Sequence, residues 1–98
     1  VALALALPRP ALAQVFTGRI DVTVEDSTGG RLPGVTVELT GPVKQTQISD
    51  AQGLAHFLNL PVGTYAVTAA LTGFNTYTNN TVVVVSGAAT PLSARLAV

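Results

Sequence analysis

At 98 residues the chain is long enough for one domain and too short for two. It is 48% hydrophobic and only 10% charged, a balance that argues against disorder. The formal net charge is zero and there is no Cys, which excludes a basic nucleic-acid surface, disulfides, thiolate zinc sites and thiol nucleophiles.

The chain opens on an Ala/Leu run, Val1–Leu7, followed by Pro8-Arg9-Pro10 and Ala11-Leu12-Ala13. Small residues at Ala11 and Ala13 form the A-x-A pattern that signal peptidase admits. The run is far too short to span a bilayer. Val1–Ala13 therefore reads as the remnant of a secretory signal, with residues 14–98 as the mature, slightly acidic domain. Arg9 departs from the usual cleavage region, and the same run also fits a greasy linker or an extra edge strand.

From Gly18 the apolar residues Ile20, Val22 and Val24 alternate with Arg19, Asp21, Thr23 and Glu25. A period of two predicts a strand with one face buried and one wet. Asp26-Ser27-Thr28-Gly29-Gly30 ends it as a turn, and Leu32-Pro33-Gly34 is a second bend. Val35, Val37 and Leu39 mark the next strand, which Gly41-Pro42 closes. Lys44–Ser49 is polar and suits a sheet edge. Asp50-Ala51-Gln52-Gly53 fits a type I turn.

In Leu54–Leu58, Ala55 and Phe57 point one way and Leu54, His56 and Leu58 the other. Leu60 anchors a Pro61-Val62-Gly63 corner, after which Tyr65, Val67, Ala69 and Leu71 line one face. Gly73 turns the chain and Phe74 plugs the end of the core. The valine run Thr81–Val85 predicts a central strand, and Leu92, Ala94 and Leu96 a final one. Pro33, Pro42, Pro61 and Pro91 are all placed between strands, where a missing N–H does no harm. The sum is about seven short strands with no helical period, the pattern of an all-β sandwich.

The frame G-R-I-D-V-T-V from Gly18, L-P-G-V at Leu32–Val35, D-x-x-G-x-A-x-F from Asp50, L-P-V-G-T-Y at Leu60–Tyr65 and G-F at Gly73-Phe74 resembles the carboxypeptidase regulatory-like domain. The resemblance implies a seven-stranded Greek-key sandwich of transthyretin (prealbumin) type, grouped with carbohydrate-binding-like folds. A signal segment followed at once by this domain is similar to the N-terminal extension of TonB-dependent, Oar-like outer-membrane receptors. That implies a periplasmic, outer-membrane-associated module beside a plug and barrel of the same polypeptide, or one that meets a periplasmic protein. The same module occurs in secreted carboxypeptidases and surface proteins.

No catalytic, cofactor or metal site is expected. His56 is the only His and has no acid beside it in sequence, so it reads as a surface imidazole. Related hydrolases of this architecture use several His and Arg residues and a C-terminal Tyr-Arg-Gly-Ser, where this chain has Arg95 in Ser-Ala-Arg-Leu, and intradiol dioxygenases need Tyr and His iron ligands that a single His cannot supply. Asp26 and Asp50 sit in separate turns and read as turn-stabilising residues, not calcium ligands. A related pilin sandwich crosslinks itself through a Lys–Asn isopeptide. The sole Lys, Lys44, lies outside the first strand, so that bond is excluded. Carbohydrate recognition needs flat exposed aromatics. Phe57, Tyr65 and Phe74 look committed to the core, which leaves Tyr77 and Phe16 as the candidate platforms. The function expected is a non-catalytic accessory domain, with carbohydrate binding and a structural spacer as alternatives.

Overall fold

A computed structural model describes residues 17–98. Phe16 and the proposed signal remnant Val1–Ala13 lie outside the described residues. The described chain forms seven strands: β1 (Thr17–Asp26), β2 (Thr36–Thr40), β3 (Lys44–Ile48), β4 (Leu54–Pro61), β5 (Gly63–Ala70), β6 (Tyr77–Val84) and β7 (Ala89–Leu96). They build a three-stranded sheet in the order β4-β1-β7 and a four-stranded sheet in the order β3-β2-β5-β6. All neighbours are antiparallel except β1 and β7, which run parallel.

The alternating apolar positions become the two inner faces. Ile20, Val22, Val24, Val37, Leu39, Ala55, Phe57, Tyr65, Val67, Ala69, Ala94 and Leu96 are all buried in one core. Phe74 and Leu71 are partly buried against it. Burying a Val, Leu, Ile or Phe side chain contributes about 1.5–3 kcal/mol, and this double layer is what offsets the entropy of ordering short strands. Tyr65 keeps its hydroxyl paired inside the core by donating to the Pro61 carbonyl at 2.6 Å. That bond fixes the β4–β5 corner, and burial raises the Tyr65 pKa. Buried Ser49 donates to the Leu32 carbonyl at 2.7 Å and accepts from the Val35 amide at 2.9 Å.

The turns follow their sequence chemistry. The Asp50 carboxylate accepts from the Gln52 and Leu54 amides, and Gly53 N–H closes onto the Asp50 carbonyl. Gly53 has φ of 75°, and a Cβ there would meet the Val24 carbonyl oxygen at 2.8 Å, so no larger residue fits. Asp26 accepts from the Thr28 amide and hydroxyl and from the Gly30 amide. These bonds favour the charged form, led by the Thr28 hydroxyl, and hold the Asp26 carboxyl below its usual range.

Two expectations are corrected. The valine run does not form a central strand: Thr81–Val84 is the second half of β6, an edge strand that begins at Tyr77, and Val85 lies beyond it. Tyr65 pairs with Val82 but Val67 with Asn79, so Asn80 and Thr81 together face Ala66 in a bulge. The bulge switches the inward phase from Tyr77 and Asn79 to Val82 and Val84, which hides the strand's first half from a period-two reading. Finally, Pro91 lies inside β7 and Pro61 is the last residue of β4, not between strands. β7 is an edge strand, where a residue without an N–H is tolerated.

Candidate functional site

The outer face of the three-stranded sheet gathers the chain's chemistry-bearing side chains. Asp21 on β1 is the direct partner of His56 on β4. Their alternation points both away from the core, and His56 Nδ1 sits 2.8 Å from Asp21 Oδ1. Arg19, two residues earlier on the same face of β1, donates to that oxygen from Nη2 at 2.7 Å and from Nε at 3.1 Å. Burial pushes the Asp21 carboxyl up, but the Arg19 and His56 hydrogen bonds and charges outweigh it and hold the pKa below its usual value. The three side chains are 45%, 30% and 43% exposed for Arg19, Asp21 and His56. Pairs this open to water contribute only about 0–1 kcal/mol each.

Beside the cluster β4 carries a bulge. Gly18 pairs with Leu60 and Ile20 with Phe57, so Leu58 and Asn59 together oppose Arg19. Asn59 absorbs the extra residue in the left-handed region, with φ of 55°. Both bulge residues turn outward and, with Thr17, Gly18, Arg19 and Gly87–Ala89, line an open cleft of about 450 Å³. Gly18 has no room for a side chain, because a Cβ would collide with the Val85 carbonyl oxygen.

This arrangement can bind or position a polar group. Among the described residues no hydroxyl is hydrogen-bonded to His56 as a nucleophile would need to be. The cluster also lies on an open face, where water is not excluded. Among the described residues no three His, Cys, Asp or Glu side chains come together as a metal site requires. His56 is exposed, as the sequence predicts, but it is partnered: its acid lies on a neighbouring strand, not beside it in sequence.

Tyr77, the candidate sugar platform, is half-buried at the start of β6 and packs against the core. Asn79 Nδ2 donates to its hydroxyl at 3.3 Å. Phe16, the other candidate, lies outside the described residues.

Strand count, sheet order and a core without helices define a seven-stranded transthyretin-like β-sandwich. The sequence pattern of the carboxypeptidase regulatory-like domain matches residues 19–97, and the chain belongs to that family. No curated protein matches the chain in sequence. The fold is similar to the Bacillus anthracis TIE protein, with TM-score 0.71 and 20% identity, over 84% of this chain and 16% of that one. It is also similar to GBS52, the minor pilin of Streptococcus agalactiae, with TM-score 0.67 and 14% identity, over 85% of this chain and 45% of that one. The chain thus spans less than half the length of either structure.

Proposed function

We propose that this is a non-catalytic accessory domain working outside the cytoplasm, as the N-terminal periplasmic module of a TonB-dependent outer-membrane transporter. The observation that carries the reading is order along the chain. An Ala/Leu run ending in A-x-A at Ala11–Ala13 is followed at once by a sandwich of the family matched at residues 19–97. No helix among the described residues is long and apolar enough to cross a membrane.

The domain would act through its strand edges. β4 and β6 carry bulges and β7 carries Pro91, devices that discourage further pairing. β3 keeps an unbroken register with β2 from Lys44 to Ile48, and Ile48 is 64% exposed. Strand addition by the plug or by a periplasmic protein is therefore proposed at Lys44–Ile48. Carbohydrate binding ranks second, because Tyr77 is partly committed to the core.

Sequencing the gene beyond Val98 tests the transporter reading. A plug followed by alternating barrel strands is expected. A zinc-peptidase domain or a sortase signal there would overturn it.

A further inference from the structure

The first and last strands of the sandwich lie side by side. β1 and β7 pair in parallel from Arg19↔Ala89 to Asp26↔Leu96 without a register shift. A parallel pair sends the chain in at one end of the sheet and out at the other. Tension applied through the two ends therefore pulls β1 and β7 in opposite directions along their shared axis. In that geometry the ladder bonds share the load and must fail together. A pair joined as a hairpin would instead open one bond at a time. We propose that the β1–β7 ladder is a mechanical clamp, by which the domain resists tension applied between its first and last strands.

Both ends of the clamp are tied down. At the entry, the Gly87 amide donates to the Thr17 carbonyl at 2.9 Å and the Arg19 amide to the Ala88 carbonyl at 3.1 Å. At the exit, the Asn75 amide donates to the Ala97 carbonyl at 2.7 Å. β1 is held on its other edge by β4, and Thr90 Oγ1 stitches β7 to β6 by donating to the Val83 carbonyl at 2.9 Å. Slippage is also opposed by the core. Ile20, Val22, Val24, Ala94 and Leu96 are completely buried, and a one-residue slip would turn each of them to the outer face. β1 has no Lys and the chain no Cys, so the resistance needs no isopeptide or disulfide crosslink and is restored on refolding.

Single-molecule force spectroscopy on the full 98-residue chain tests the proposal, since a Cys-free sequence accepts handles at chosen sites. One protein carries handles at its two ends. A second carries one at the N-terminus and one at Ala89→Cys, so the same ladder is peeled from its starting end. A third uses Ser86→Cys, so the peeling geometry does not rest on one substitution; both residues are exposed. At equal pulling speed, the end-to-end rupture force is expected to exceed both peeling forces severalfold and to recur after relaxation. Equal forces in the two geometries, or an end-to-end force below the peeling force, would overturn the clamp.

Discussion

His56 Nδ1 and the Asp21 carboxylate meet at 2.8 Å although 35 residues separate them in sequence. The β1–β4 register alone brings them together, and Arg19 completes the cluster on the same oxygen. Asp21 should therefore titrate below the usual aspartate range, and Arg19→Gln or His56→Gln should each move it upward. Carbon-detected carboxyl NMR titration of the three proteins checks this. An Asp21 value unmoved by both substitutions would contradict the geometry.

The same shift fixes a sign for stability against pH. Asp21 and Asp26 are both depressed in the fold, so each binds its proton less readily folded than unfolded. Their contribution is present above the unfolded value of about 3.9 and is lost as pH falls through the lower folded values. Asp26→Ala removes the acceptor for the Thr28 and Gly30 amides. The variant should melt lower at pH 7 and lose less of its remaining stability between neutral and acid pH than the parent does. Thermal melts across that range measure both effects.

Core packing predicts a larger loss. Phe57 is completely buried, and Phe57→Ala should cost about 3–5 kcal/mol. Tyr65→Phe keeps the ring and deletes only the bond to the Pro61 carbonyl, so about 0.5–1.5 kcal/mol is expected. Urea denaturation compares the two. Similar losses for both would mean that the Phe57 site is not the closed core described above.

Ser49 gives a polar counterpart. Its hydroxyl serves both the Leu32 carbonyl and the Val35 amide inside the sandwich. Ser49→Ala leaves those groups without that partner at a cost of about 1–3 kcal/mol. Chemical denaturation reads the loss directly, and a change within experimental error would show that water replaces the hydroxyl.

Clean alternation made β1, β2, β4 and β5 legible in the sequence, and the turn chemistry of Asp26, Asp50 and Gly53 was equally local. What failed to show was non-local. Asn80 and Thr81 share one partner, and the phase change they impose concealed the Tyr77–Asn79 half of β6. Pro91 is tolerated because β7 is an edge, which only the sheet order reveals. The Asp21–His56 pair depends on a cross-strand register that no neighbouring residues encode. For the same reason the sequence does not show that Tyr77 packs against the core, a contact that follows from the β5–β6 pairing.

The sheet order itself is tested most directly by NMR cross-strand contacts. Parallel-type backbone Overhauser effects are expected from Val22 to Leu92 and from Val24 to Ala94, with antiparallel ones from Val22 to Ala55. An antiparallel ladder between residues 89–96 and any other strand, in place of contacts to β1, would contradict the account.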